Sequence, residues 1–502
     1  MANVKFDSNS RVSLSNADSG ANNTVFGKLA GNLLASGDTH NVFIGENVAD
    51  ADMTNAVENT AVGYSALSSL TEGDENTMIG RLAGRDVTTG SGNTMIGSAA
   101  GYQVDGGVAQ CVVIGRGALN AQATTAANGT VAIGYGAGAA ITSGAGNTLV
   151  GYAAGDAITD GENNTVLGRH ALGANVTGHL NVAIGVSALS SFIGGACVAI
   201  GREALRDLNH ASSADGNVAV GTGAGASLTS GGRNTAIGYQ TLGSATELTH
   251  NVAIGWQTMK DSSATTSHRN IGIGSFVMDS IGANVANDNV AIGYNNLTNL
   301  TTGDNNTVLG SQAGVQVNTG TDNTFVGFQA ANGLTDGNFN VAMGFNALVS
   351  MVSGDRNVAI GYKALEDNNE DAINRNTAVG CNAALNLSTA IKTVAIGDDA
   401  IGGGVCTGDT NTAVGQGAGY ALTSGHTNTL IGGDAGVALL GGDDNVCVGK
   451  GAGRSLTSGS DNIIIGSGSD ASAGDRASAI VIGMDLESAA NNHARIGGSN
   501  FS

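Results

Sequence analysis

A short phrase, an apolar residue followed by glycine, returns twenty-eight times along the chain, most often led by Asn-Thr or Asn-Val. It reads Asn23-Thr24-Val25-Phe26-Gly27, then Asn41-Val42-Phe43-Ile44-Gly45, then Asn59-Thr60-Ala61-Val62-Gly63, and it is still running at Asn462-Ile463-Ile464-Ile465-Gly466. Successive anchor glycines lie 17 residues apart in sixteen of the twenty-seven intervals, and 16 to 20 apart in all but the last. A period held this long predicts a solenoid, with one structural unit per repeat and each unit touching its neighbours. The expected fold is all-β, a parallel β-solenoid or β-roll of about 28 repeats of ~17 residues. Residues 1–22 read as an N-terminal attachment or cap segment, 23–483 as the repeat shaft, and 484–502 as a C-terminal end segment.

The repeat explains an unusual composition. Glycine supplies 81 of 502 residues, proline is absent, aromatics are 4% and charged residues 12%. Disordered chains carry more charge and less aliphatic content, and collagen needs proline and glycine at every third place. Thin stacked coils do need small residues with regular Val and Ile. The net charge of -21 disfavours binding to nucleic acid or to an anionic membrane. No apolar run is long enough for a membrane helix, and none at the start resembles a secretory signal, so synthesis in a cytoplasm is expected.

With the anchor Gly as position zero, position -1 is Ile, Val, Leu, Met or Phe in every copy, and -3 is Thr, Val or Ile in all but the last. Position -2 is commonly Ala, as at Ala183, Ala199, Ala219, Ala236 and Ala253. This alternation is that of a strand. The -1 and -3 residues are expected to fill each coil, leaving the small -2 face to meet a neighbouring chain. Ala follows at +3 in twenty copies, and turns such as Leu228-Thr229-Ser230-Gly231 close many repeats. Length varies at Asn120 to Asn128, Leu205 to Asp215, Lys260 to Arg269 and Glu366 to Arg375, which read as loops on the side of the shaft.

Asn stands at -4 in twenty-two copies, including Asn23, Asn41, Asn59, Asn76, Asn93, Asn147, Asn164 and Asn181. Stacked at one corner, these side chains can bond one another in a ladder, a structural role. Of the five cysteines, Cys111 and Cys197 take the same place and Cys447 takes -2, so they read as buried apolar residues; Cys381 and Cys406 add no metal-ligand spacing.

Few motifs carry chemistry. Clusters such as Gly134-Tyr135-Gly136-Ala137-Gly138 mimic phosphate loops but lack the following helix. The eight histidines show no zinc pattern. Catalytic and cofactor residues are therefore assigned to none. Acidic turns place Asp74, Asp304, Asp355, Asp409 and Asp443 at one corner, where stacked oxygens could hold Ca²⁺; the alternative is a turn residue facing water.

The phrase in Asn181-Val182-Ala183-Ile184-Gly185 and Asn251-Val252-Ala253-Ile254-Gly255 resembles the head repeat of YadA-type trimeric autotransporter adhesins. The Asn-Thr-Ala-Val-Gly copies with Leu-Thr-Ser-Gly turns also resemble repeats of bacteriophage tail-fibre and virion appendage proteins. The adhesin likeness implies a left-handed roll and a homotrimer. The absence of a signal and of a membrane barrel in this sequence favours the virion setting over a bacterial surface adhesin. The resemblance thus implies a structural, non-enzymatic fibre subunit that contacts other virion proteins and a host-surface glycan or protein. Two alternatives belong to other classes. A polysaccharide-cleaving tailspike needs two acids about 5–10 Å apart beside aromatic sugar platforms, and the chain has one Trp, Trp256. An ice-binding solenoid needs outward Thr columns, whereas the mixed Thr and Val of position -3 is expected to point inward.

Overall fold

The structure, a computed structural model, describes residues 10–13, 22–209, 215–262, 267–281, 285–366, 375–488 and 490–497. The chain divides into two compact units, Met1–His250 and Asn251–Ser502. The first contains strands β1 (Ser10–Ser13) and β2 (Thr24–Lys28) through β14 (Thr235–Ile237), and the second β15 (Val252–Ile254) through β29 (Ala494–Ile496). Nearly every strand is the three residues before an anchor Gly. Within each unit the repeats form a parallel β-solenoid. Thr165, Val166 and Leu167, for example, lie opposite Val182, Ala183 and Ile184 of the next coil. Thr125–Ala127 form a single 3-10 turn, and no helix among the described residues is long and apolar enough to cross a membrane.

β1 runs antiparallel to β2, pairing Val12 with Phe26, and covers the open edge of the first coil. Val4, Lys5, Phe6 and Leu14 of the same segment lie outside the described residues. At the other end the parallel ladder continues beyond 483, with Val481 opposite Arg495.

The anchor must be Gly because coils stack Gly upon Gly. At Gly151 φ is +142°, and a β-carbon would lie 2.6 Å from the carbonyl oxygen of Gly168.

The strand faces are reversed from the sequence expectation. Position -2 points into the coil: Ala183, Ala199, Ala219 and Ala253 are fully buried. Positions -3 and -1 point outward, and Ile44, Leu167, Leu309 and Ile396 are exposed. The physical reason is the thinness of the coil. Each encloses one strand residue, the +3 Ala, the residue at +4 and an apolar residue near +7 such as Leu70 or Ile141, and two β-branched side chains per strand would not fit as well. A large -2 residue is admitted where +4 is small, as in Phe43 with Ala49 or Leu149 with Gly155; Ala at -2 is most often joined by Leu at +4, as in Ala183 with Leu189. Ala253 accordingly packs inside its own coil and is not placed to face another chain.

Candidate functional site

Two columns of side chains bind coil to coil and account for most of the polar residues singled out in the sequence. The first is the Asn ladder. In Asn164 the amide nitrogen donates to Asn147 Oδ1 at 3.0 Å and to the Gly178 carbonyl at 2.9 Å, while its Oδ1 accepts the backbone N–H of Asn181 at 3.0 Å. Asn23, Asn41, Asn59, Asn76 and Asn93 repeat the pattern, each buried. Cys111 closes that run, its N–H donating to Asn93 Oδ1 at 3.0 Å. In Asn164 both amide protons and the carbonyl oxygen are engaged by neighbouring coils, so the column reads as scaffold rather than as a ligand site.

The second column, two residues before the Asn, was not recognised as a ladder in the sequence. Its side chain accepts the backbone N–H of the same position one coil earlier. Asp74 accepts from Val57 at 2.9 Å, Asp304 from Asn287 at 2.6 Å, Asp355 from Asn338 at 2.8 Å, Asp409 from Ile391 at 2.9 Å and Asp443 from His426 at 2.7 Å. His179 and His426 serve in the same way through Nδ1, accepting from Glu162 and Asp409 at 2.9 Å. The five Ca²⁺ candidates thus each commit one carboxylate oxygen to the backbone. Among the described residues no three His, Cys, Asp or Glu side chains gather where they could hold a metal ion.

Other candidates are dispersed. Cys111, Cys197, Cys406 and Cys447 are buried and Cys381 is exposed, all as free thiols. Burial pushes the Cys447 thiol up to about 12 and those of Cys197 and Cys406 to about 11. A polar cavity of about 270 Å³ in the first unit is lined by Asp86, Gln103, Asp105 and Gln122. Asp86 there is held by the Arg85 guanidinium at 2.6 Å, and no aromatic ring lines it. Of the insertions, 210–214, 263–266 and 367–374 lie outside the described residues, as does His210.

What remains is the outward strand face. In neither unit does position -3 or -1 carry a charged residue at any anchor, from Thr24 and Phe26 to Ala494 and Ile496. A chain with 61 charged residues among 502 would place several there by chance. Beside this face runs position +1, whose residue type changes from copy to copy. In the first unit it holds Lys28, Arg81, Arg116, Arg169 and Arg202, together with Tyr64, Tyr135, Tyr152 and Tyr239. In the second it holds Trp256, Tyr294, Phe328, Phe345 and Tyr362. Rings on adjacent coils stack: Tyr135 on Tyr152 at 5.1 Å between centroids, and Phe345 on both Phe328 and Tyr362 at 5.4 Å. An uncharged apolar centre edged by Tyr, Trp and Arg is the composition of a protein contact surface. No protein-family model matches the sequence, and a search of curated proteins returns no match.

Proposed function

We propose that the chain is a structural subunit of a fibre-like virion appendage that helps contact the host surface, assembled as a homotrimer. The observation that carries this reading is the uncharged outward face, which continues over every coil of each unit. Exposed apolar surface of that extent marks an interaction site. Its occupant must keep register over many coils spaced about 4.8 Å apart, and another copy of the same chain has that spacing by construction. The resemblance to tail-fibre and adhesin-head repeats supports the setting.

Sedimentation of the full chain tests the reading. About three chains per particle are expected, and Ile184→Glu, a charge on the outward face, should dissociate them while leaving the β circular dichroism spectrum in place. A folded monomer in the unsubstituted chain would overturn it.

A second reading rests on one observation. Position -3 faces solvent rather than the core, so Thr60, Thr77 and Thr94 form an outward Thr column on consecutive coils. Ice binding uses such columns. A gap between melting and freezing points in a dilute solution of the chain would favour it; its absence, with a trimer in the centrifuge, would favour the fibre.

A further inference from the structure

Within the +1 column of the first unit, four consecutive coils present Arg116, Tyr135, Tyr152 and Arg169, all exposed. Tyr135 and Tyr152 are parallel to within 8° at 5.1 Å, the Arg116 guanidinium lies 5.7 Å from the Tyr135 ring centre, and His170 meets Tyr152 edge-on at 5.3 Å. Stacking fixes the rings side by side, with the Arg116 guanidinium at one end and Arg169 on the coil beyond the other.

The two columns that flank the strip carry no carboxylate on these four coils. On one side lie Ile114, Ile133, Val150 and Leu167, and on the other Gly117, Gly136, Ala153 and His170. Asp156 interacts with His170 at one end of the strip. Among the described residues no ion pair engages Arg116 or Arg169, whereas Lys28 pairs with Glu46 and Arg202 with Glu203. A β-carbon built on Gly117 or Gly136 would meet nothing within 4 Å, so an open shelf borders the stack. Other coils place Leu29, Asn47 or Ser65 at that position.

A positive, hydroxyl-lined strip in a chain of net charge -21 is selective for anions at short range, because salt screens the remaining charge within about 8 Å. Three coil steps make it about 14 Å long, the reach of an oligosaccharide rather than of one sugar. Guanidinium pairs in a fork with planar carboxylate. We propose that this strip binds an acidic polysaccharide of the uronate type, with Arg116 and Arg169 each taking a carboxylate and the two tyrosine hydroxyls bonding sugar oxygens between them. The proposal rests on the surface-attachment part of the fibre reading and assigns that attachment to regular coils instead of insertions.

Affinity electrophoresis of the full chain through gels containing polygalacturonate or neutral dextran tests it. Retardation by polygalacturonate alone is expected, weakened about a hundredfold in Arg116→Ser/Arg169→Ser, since each of the two charged hydrogen bonds lost is worth ~1.5 kcal/mol. Tyr135→Ser/Tyr152→Ser should weaken it too, and Arg233→Ser, which removes the same charge elsewhere in the unit, should not. Circular dichroism and sedimentation of each variant show whether coils and assembly persist. No retardation of the unsubstituted chain, or equal retardation of every variant, would overturn the proposal. Dissociation of the Arg or Tyr variants would do so as well, by assigning the strip to contact between copies. The sedimentation mass of the unsubstituted chain reports separately on the fibre reading.

Discussion

Met78 fills the space that a side chain on Gly84 would need: a β-carbon there would lie 2.6 Å from the Met78 sulfur. One coil earlier the same two places hold Ala61 and Leu67, both fully buried, and Leu67 adopts φ +55° where Gly84 has +56°. Volume is exchanged between the two positions at constant backbone. Gly84→Leu alone should destabilise by about 1–3 kcal/mol through overpacking and Met78→Ala by about 2–5 through a cavity. The double variant should cost much less than their sum, because it restores the neighbouring coil's pair. Denaturation midpoints of the four proteins give the coupling directly, and strict additivity would refute the exchange.

Truncating Asn164 to Ala should cost about 2–4 kcal/mol, because the Gly178 carbonyl and the Asn181 N–H each lose a buried partner. Hydrogen exchange should show the Asn181 amide losing protection while amides several coils away keep theirs. Unchanged exchange at Asn181 would place its protection elsewhere than in the ladder.

In the native chain a thiol reagent should modify Cys381 and spare Cys111, Cys197, Cys406 and Cys447 until the coils unfold. The Cys381 thiol is itself raised, by desolvation and by the neighbouring Asp398 carboxylate, so its reaction should be slow at neutral pH and accelerate as pH rises and the thiolate fraction grows. Mass spectrometry after limited labelling reads both points. Fast labelling of Cys447 at neutral pH would contradict its burial.

Asp443 accepts the His426 N–H at 2.7 Å and gives its own N–H to Ser460 Oγ at 3.0 Å. Asp443→Asn should keep the bond, as Asn287 and Asn338 do in the same column, and Asp443→Ala should cost about 1 kcal/mol. Millimolar calcium or a chelator should leave the melting temperature where it was. A rise of several degrees with calcium would return these carboxylates to metal binding.

The period, the coil and the strand positions were legible because backbone geometry demands Gly at zero in every copy, and because Asn recurs at -4 in twenty-two of the twenty-eight. Which face looks inward was not. Val182, Ala183 and Ile184 alternate correctly for either orientation, and hydrophobicity alone favours putting Val and Ile inside. The pairing of Ala183 with Leu189, and of Met78 with Gly84, holds the missing signal: size anticorrelates between -2 and +4, so those two must share one interior. The second ladder was hidden because Asp, Asn, His and Ser all accept an N–H, so no single residue type marks its column. The +1 strip was hidden for the opposite reason: each residue looks variable in its own repeat, and only the column shows where the arginines and tyrosines gather.

Among the described residues of each unit a coil bonds to the coil before it and the coil after, through the same amide and the same glycine. Removing one whole coil rejoins two surfaces that already match, and inserting one asks nothing of the remainder. Loss or gain of one whole repeat in the gene would therefore yield a folded product of altered length. Reach becomes a trait that selection can adjust in steps of about 4.8 Å, with no new contact to evolve.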